Sequence, residues 1–128
     1  MAIAVGVDLV RVARVRRLLE DNPAAEREIF TERERDYCAC RRDRYIHLAA
    51  RFAAKEATFK ALGTGVGPGC RWTDVEVVNT RLGRPTLRLT GGASRTTESG
   101  EPVAAEISLS HTGDYAIASV VLVHGGAV

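Results

Sequence analysis

The chain has 128 residues, of which 45% are hydrophobic and 27% charged, and its formal net charge is +2. These values are typical of a single globular domain and argue against a disordered chain. No apolar run reaches the roughly 18 residues that a membrane-spanning helix needs, and residues 1–8 lack the pattern of a secretory signal. The net charge is too small to indicate bulk nucleic-acid binding. We therefore expect one domain over residues 1–128, with neither a membrane nor a nucleic acid as partner.

Three cysteines occur in the chain, at positions 38, 40 and 70. An odd number without a secretory signal indicates reduced thiols and a cytoplasmic location. Cys38 and Cys40 have no second pair of metal ligands nearby, so no zinc site is expected.

The first half of the chain predicts one strand followed by helices. Residues 3–10 alternate as in a strand, with one face formed by Ile3, Val5, Val7 and Leu9. Residues 9–20 change to helical spacing, and Pro23 follows as a stop. A capping box at Thr31 and Glu34 predicts a short helix, and a long helix is predicted over 43–62.

The second half predicts an antiparallel sheet. Strands are expected at 72–78, 86–90, 103–110 and 115–123, with a tight turn at 111–114, a possible short helix within 91–100 and a loose tail from His124. The predicted fold class is α+β, in which this sheet packs against the long helix and shorter helices lie toward the N-terminus.

Two acidic residues far apart in the sequence, Asp8 and Glu56, are candidates for a metal site. Mg²⁺ takes a few carboxylate ligands and fills its other positions with water and phosphate oxygens, so two acids and a pyrophosphate suffice. The alternatives are that Asp8 caps the following helix and that Glu56 pairs with Lys60 one turn later. The spacing alone favours this ion pair for Glu56.

Cationic residues flank Glu56 on the long helix. Helical geometry places Lys60 on the face of Glu56, while Arg51 and Lys55 share a different face. Lys60 suits negative charge on a leaving phosphate, and Arg51 with Lys55 suits a second phosphate group. The glycine-rich loop 63–69 lets a ligand approach the backbone, but it lacks the Gly-Lys-Ser/Thr ending of a P-loop. A P-loop nucleotide hydrolase is therefore disfavoured.

A basic stripe is formed by Arg11, Arg14 and Arg17, spaced at i, i+3 and i+6. Such a stripe favours an anionic partner, although a solvated helix face gives the same pattern. His111 lies in the predicted tight turn, where binding a phosphate, carrying a proton and a merely structural role remain open.

Seven segments form a pattern that extends over nearly the whole chain. They are residues 6–10 (GVDLV), 51–57 (RFAAKEA), 60–65 (KALGTG), 72–77 (WTDVEV), 83–85 (GRP), 108–112 (SLSHT) and 115–116 (YA). In this order and spacing the chain resembles the holo-acyl-carrier-protein synthases. The segment from 51 to 65 is the most specific part of the resemblance.

The resemblance implies a function. Such enzymes move the 4′-phosphopantetheine arm of coenzyme A onto a serine of an apo acyl carrier protein and release adenosine 3′,5′-bisphosphate. They are typically homotrimers with Mg²⁺ in active sites at the subunit interfaces. The leaving group is a stable anion, so the main task is to align the reactants and offset charge. Whether Glu56 or a metal-bound water removes the serine proton is left open.

The resemblance also implies roles for individual residues. Asp8 and Glu56 match metal ligands, and Lys60 matches the catalytic lysine. Arg14 matches a position that docks the acidic carrier protein, and we expect Arg11 and Arg17 to help. The positions around the coenzyme A nucleotide are Arg51, Lys55, Lys60, Gly63, Thr64, Gly65, Pro85, His111 and Thr112.

Two other functions remain open at this point. One is a non-catalytic module whose basic helix binds acidic proteins, and the other is a different metal-dependent nucleotide enzyme that uses the same acid–lysine helix. The sequence does not distinguish a fatty-acid from a polyketide carrier, or Mg²⁺ from Mn²⁺. Residues 37–45 and 92–102 match no pattern.

Overall fold

The computed structural model describes residues 2–67, 69–95 and 102–125. The strands are β1 (Ala2–Arg11), β2 (Val75–Asn79), β3 (Pro85–Leu89), β4 (Pro102–Thr112) and β5 (Tyr115–His124). The helices are α1 (Val12–Asp21), α2 (Ala24–Ile29), α3 (Glu32–Ala39), α4 (Arg44–Leu62) and α5 (Gly91–Arg95), and a 3-10 turn, Trp72–Asp74, precedes β2. None of the helices in these ranges is both long enough and apolar enough to span a membrane.

Three strands form one antiparallel sheet in the order β1-β5-β4, while β2 and β3 form a separate antiparallel hairpin. The long helix α4 packs across one face of the sheet. The central strand β5 turns small and aliphatic side chains toward that helix, and they are all buried: Ala116, Ala118, Val120 and Leu122. The predicted α+β class is confirmed. The prediction placed the sheet in the second half alone, whereas β1 forms one of its edges.

The strand β1 and the helix α4 approach each other most closely at Gly6. A Cβ atom at Gly6 would overlap the backbone carbonyl oxygen of Ala57, so the approach requires glycine. Because side chains alternate along a strand, Asp8 lies on the same face as Gly6. The order Gly6-Val7-Asp8 therefore sets a carboxylate beside the middle of α4.

The opposite face of the sheet is apolar and exposed along β1. Ile3, Val5, Val7 and Leu9 are 53–66% exposed. In the antiparallel register Leu9 pairs with Ile117, whose side chain is also exposed, so the apolar surface continues onto β5. We call this surface the open face. A contiguous apolar patch of this kind marks an interaction surface.

The helix boundaries follow local capping signals. Thr31 Oγ1 accepts a hydrogen bond from the Glu34 N–H, and the Glu34 carboxylate accepts one from the Thr31 N–H, so the predicted capping box is confirmed. The helix α4 ends at Leu62, and Gly63 follows in the left-handed conformation with φ of 76°. The short helix α2 was not predicted, although Pro23 at its start is a known signal.

Asp8 does not cap the following helix, so that alternative is wrong. The strand β1 continues to Arg11, which takes the N-cap position of α1. The first helical amide, that of Val12, donates instead to the Asp114 carbonyl oxygen at 2.7 Å. Asp8 is therefore free of a capping role and lies within a strand.

Predictions near two histidines are also wrong. His111 belongs to β4, where it pairs with Ala116, and the tight turn is limited to Gly113 and Asp114. His124 is a buried residue of β5 rather than the start of a loose tail. The remainder of the predicted tail, 126–128, lies outside the described residues, as do residues 96–101.

Candidate active site

Asp8, Glu56 and Lys60 meet where β1 crosses α4. Lys60 Nζ donates to Asp8 Oδ1 at 3.0 Å and to the Val7 carbonyl oxygen at 3.1 Å. Glu56 lies one helical turn before Lys60, on the same face of α4. Within the described ranges the ion pair of Lys60 is made with Asp8 and not with Glu56, so the alternative drawn from spacing is wrong.

The two carboxylates of this group repel each other. Burial raises the pKa of Glu56 above its ordinary value, and the negative charge of Asp8 raises it further. The positive charges of Lys60 and Arg14 oppose these effects. Ionising both acids at once is unfavourable, so a cation bound between them would stabilise the doubly charged form.

Asp8 and Glu56 are the residues that can hold a metal ion. In the part of the chain that the structure describes, no group of three or more His, Cys, Asp or Glu side chains forms a metal site. Two carboxylates suit a hard cation such as Mg²⁺, which keeps several waters and binds substrate phosphates as well. The donor set fits a metal that is completed by its substrate rather than a closed structural site.

The predicted basic stripe lines a groove of about 530 Å³ beside α1. Arg11, Arg14 and Arg17 all contribute to its wall, together with the half-exposed Leu18. Arg11 also donates to the Tyr115 hydroxyl at 2.8 Å, which fixes one end of the stripe. Because Arg14 acts on the charge of Glu56, the groove borders the acidic pair.

A second cationic group is built around Tyr37. The guanidinium of Arg51 lies 4.2 Å from the centre of the Tyr37 ring, and that of Arg41 lies 4.1 Å from it. Arg51 is only 2% exposed and donates to Asn79 Oδ1. Its Nε is buried and has no hydrogen-bond partner among the described residues. A planar guanidinium with a spare donor suits a phosphate or carboxylate oxygen.

Two histidines belong to the same group. The His47 ring meets the Tyr37 ring edge-on, with 6.1 Å between centroids. Burial lowers the pKa of His47, and the positive charges of Arg51, Arg41 and His111 lower it further, while Asp43 opposes them. The group thus concentrates positive charge and brings two predicted nucleotide-binding residues, Arg51 and His111, into one neighbourhood.

The acidic group and the cationic group occupy different parts of the chain. The central strand β5 separates β1, which carries Asp8, from β4, which carries His111. Along α4, Arg51 precedes Glu56 by five residues, or about 7.5 Å of helix rise, and lies on another face. One chain therefore carries the acidic pair and the cationic group at separate places.

Comparisons with known proteins identify the family of the chain. A family model described as the 4′-phosphopantetheinyl transferase superfamily matches residues 4–120. A holo-[acyl-carrier-protein] synthase of Syntrophotalea carbinolica is 50% identical over 91% of both chains. The solved ACPS-CoA complex of Chronobacterium ammoniagenes has a TM-score of 0.83 and 34% identity, and covers 98% of this chain and 99% of its own. A Bacillus anthracis synthase in complex with CoA (3′,5′-ADP) has a TM-score of 0.78 and 32% identity, and covers 97% and 100%.

The chain belongs to the 4′-phosphopantetheinyl transferase superfamily. It is an enzyme, a transferase of the holo-[acyl-carrier-protein] synthase type, and the resemblance found in the sequence is confirmed. The alternative of a non-catalytic binding module is thereby excluded.

Lys55 of this transferase is wholly buried. Its Nζ pairs with Glu34 Oε1 at 2.8 Å, and donates to the carbonyl oxygens of Trp72, at 3.2 Å, and of Val75. Glu34 is equally buried and accepts the Val77 N–H at 3.0 Å. Burial lowers the pKa of Lys55, and the charge of Glu34 opposes that effect. An ammonium has three donors, and all three have acceptors within this chain; the contact of Lys55 with the nucleotide stays a prediction that these bonds do not favour.

The other predicted nucleotide contacts of the transferase lie at element ends. Gly63, Thr64 and Gly65 are exposed directly after α4, Pro85 begins β3, and Thr112 ends β4. Their contact with coenzyme A stays a prediction. Arg51 stays a predicted contact as well, although only 2% of the residue is exposed.

Sequence reasoning missed three members of the cationic group, Tyr37, Arg41 and His47. Residues 37–45 matched no motif, yet a tyrosine at each end flanks three arginines, and such a composition is a signal for cation–π stacking. Arg44 stacks in the same way over Tyr45, at 4.9 Å from the ring centre.

We predict that Lys55→Met destabilises the transferase by about 3–5 kcal/mol, because it leaves the Glu34 carboxylate buried without its counter-charge. Urea unfolding of the variant and the wild type measures the loss. The double variant Glu34→Gln/Lys55→Met is the matched control and recovers part of the loss, since it buries no lone charge and the glutamine oxygen can still accept one of the two N–H groups that bond to Glu34. A loss below about 1 kcal/mol in the single variant, within the range of an exposed ion pair, would contradict the internal role of Lys55.

Proposed function

We propose that this transferase moves the 4′-phosphopantetheine group of coenzyme A onto a serine of an apo acyl carrier protein, and releases adenosine 3′,5′-bisphosphate. The observation that carries the proposal is the meeting of Asp8, Glu56 and Lys60 beside the basic groove. The name of the relative that is 50% identical supports a carrier protein as the acceptor. The CoA complexes of similar structures support coenzyme A as the donor. The whole chain, residues 1–128, forms the catalytic domain in this proposal.

Asp8 and Glu56 hold Mg²⁺ in the proposed site. Their two carboxylates leave positions for water and for oxygens of the coenzyme A pyrophosphate, which matches the demands of this cation. When bound, the ion supplies charge compensation for the phosphates and a fixed orientation. Burial and the charge of Asp8 both raise the pKa of Glu56, and a cation at this point would offset both effects.

In the proposed reaction, residues of the chain assist a single displacement at the β-phosphorus of coenzyme A. The serine oxygen forms a bond to the β-phosphorus, the bond from this phosphorus to the departing adenosine 3′,5′-bisphosphate oxygen breaks, and the serine proton passes to a base. Glu56 or a water bound beside it takes that proton. Lys60 offsets the negative charge on the leaving phosphate, which is a stable anion that needs no acid.

The cationic group around Tyr37 binds a phosphate of the coenzyme A nucleotide. The support is the positive charge concentrated there, since Arg51, Arg41 and His111 all act on His47. The glycine loop at Gly63, with Thr64 and Gly65, and the ends of β3 and β4, with Pro85 and Thr112, complete the nucleotide surface in this proposal.

The basic groove docks the acidic carrier protein. Arg11, Arg14 and Arg17 face one direction, and complementary charge mainly raises the rate and orientation of encounter. Since Arg14 acts on Glu56, a carrier bound there has its serine close to the acidic pair. The carrier serves fatty-acid or polyketide synthesis in a cytoplasmic setting, and no nucleic acid or membrane is involved.

The active enzyme is a homotrimer in this proposal, with active sites between subunits. The open face supplies the apolar surface for association. The separation of the acidic and cationic groups supports a site that one subunit starts and its neighbour completes. The number three is what the resemblance implies.

The central test measures the mass of an apo carrier protein after incubation with the enzyme, coenzyme A and Mg²⁺. We expect the carrier to gain one phosphopantetheinyl group. Glu56→Gln should lower the rate at least about 100-fold, since even partners of metal ligands contribute 10–100-fold. Its melting temperature should stay near that of the wild type. Glu32→Gln, an exposed acid on α3, is the control and should keep full activity. Turnover of other phosphoanhydrides but not of coenzyme A would favour the remaining alternative.

The docking surface is tested by charge reversal at Arg14. We expect Arg14→Glu to raise the KM for the carrier about tenfold, because it repels an acidic helix, and to leave the KM for coenzyme A nearly unchanged. Steady-state kinetics with each substrate varied gives both constants. Arg88→Glu, an equal change at an exposed site on β3, is the control. An equal rise in both constants for Arg14→Glu counts against docking at this groove.

The assembly is tested by placing a charge on the open face. We expect Val5→Glu to convert the trimer into smaller species, because a carboxylate buried between apolar faces has no partner. Size-exclusion chromatography with light scattering measures the mass against that of one 13.8 kDa chain. Leu82→Glu alters an apolar side chain that is fully exposed in the β2–β3 turn, and it should leave the mass unchanged. A trimer that survives Val5→Glu would exclude the open face as its interface.

A further inference from the structure

We propose that Lys60 is the resident counter-ion of Asp8 before the metal binds, and that Lys60 gives up Asp8 when a divalent cation occupies the acidic pair. The inference rests on the proposed metal site and assigns Lys60 a role that precedes the chemical step. The same ammonium first balances the carboxylate and then becomes available to the substrate phosphate.

The starting position of Lys60 is well defined. Its ammonium contacts Asp8 Oδ1 at 3.0 Å and the Val7 carbonyl oxygen at 3.1 Å, so both acceptors belong to β1 and none to its own helix. The Asp8 side chain is only 18% exposed, and the Lys60 side chain is 56% exposed. The carboxylate is therefore fixed in the strand, and the lysine is the partner that can move.

The contact competes with a metal ion for the same oxygen. An ammonium at hydrogen-bond distance from Asp8 Oδ1 occupies the space in which a cation would coordinate that oxygen, and like charges at such a separation repel. Lys60 has a flexible four-carbon stem and a third N–H that neither Asp8 nor Val7 uses. Once displaced, the ammonium remains tethered one helical turn from Glu56, near the phosphates of a bound substrate.

Other charges around the pair give a matched control. Arg14 and Lys60 both act on Glu56 with positive charge, but the described contact to Asp8 is made by Lys60. Removing the Arg14 charge therefore tests the effect of losing a nearby positive charge. Removing the Lys60 charge tests that effect together with the loss of the direct contact to Asp8.

The test is a calorimetric titration of the intact enzyme with Mg²⁺ alone, without coenzyme A or carrier protein. We expect Lys60→Met to bind Mg²⁺ about two- to fivefold more tightly than the wild type, the range expected for loss of one competing ion pair. Lys60→Arg retains the charge and should bind close to the wild type. Arg14→Met should show a clearly smaller gain than Lys60→Met. Both Lys60 variants should keep the wild-type melting temperature, since the side chain is largely exposed.

A direct readout follows the lysine itself. In the ¹H–¹⁵N spectrum of lysine ammonium groups, the Lys60 signal, assigned by its absence in Lys60→Met, should shift with the same Mg²⁺ midpoint as the calorimetric binding. An unmoved signal, or a Lys60→Met affinity equal to or weaker than that of the wild type, overturns the inference and leaves the metal site intact. If Asp8→Asn fails to weaken Mg²⁺ binding, the metal site falls and this inference with it.

Discussion

The close contact between β1 and α4 is the constraint on which the site depends. Gly6 has no Cβ, so the strand lies against the carbonyl oxygen of Ala57, and the alternation of the strand then sets Asp8 beside Glu56 and Lys60. Burial raises the pKa of Glu56, and the charge of Asp8 raises it further, so ionising both acids costs free energy in the folded chain. Packing elsewhere must offset that cost. The buried alanines of α4 and β5 provide it, because they form a tight helix–sheet contact that keeps the two acids in place.

The helix α4 carries both an internal ion pair and a site acid because successive residues point in different directions. Lys55 and Glu56 are neighbours in sequence, yet a turn of about 100° per residue sends Lys55 into the interior and Glu56 toward β1. Lys55 ties the helix to α3 through Glu34, to the 3-10 turn through the Trp72 carbonyl group and to the start of β2 through the Val75 carbonyl group. A buried ion pair is seldom a gain in stability over apolar residues, so its value here lies in fixing which way the helix faces. The contacts of Lys55 on the adjacent face of α4 therefore help to fix the rotation that aims Glu56 at Asp8.

Much of the fold was predictable from the sequence because its signals are local. Less of the site was predictable, because its contacts join residues that are far apart in the sequence. The capping box at Thr31 and the stop at Gly63 are read within a few residues, and both are confirmed. The burial of Lys55 depends on Glu34, which lies 21 positions earlier, and no periodicity within α4 reveals such a partner. Alternation in β1 separated two faces without showing which is covered. The face with Gly6 packs on α4 although the face with Val5 is the more apolar, since close approach favours the smaller side chains.

Under the proposed function, one physical explanation covers both the open face and the separation of the acidic pair from the cationic group. An isolated chain would leave Ile3, Val5, Val7 and Leu9 in water, at a cost of about 25 cal/mol for each Å² of apolar area that association could bury. That free energy, released when subunits associate, is available to hold charged groups of different subunits at a fixed separation before any substrate arrives. A site assembled in this way is preorganised, and the substrate spends less of its binding energy on ordering it. The cationic group around Tyr37 would repel a cation if it shared one surface with Asp8 and Glu56, whereas a pyrophosphate between two subunits can contact both. Keeping the two groups apart within each chain is thus compatible with a polyanionic nucleotide that joins them.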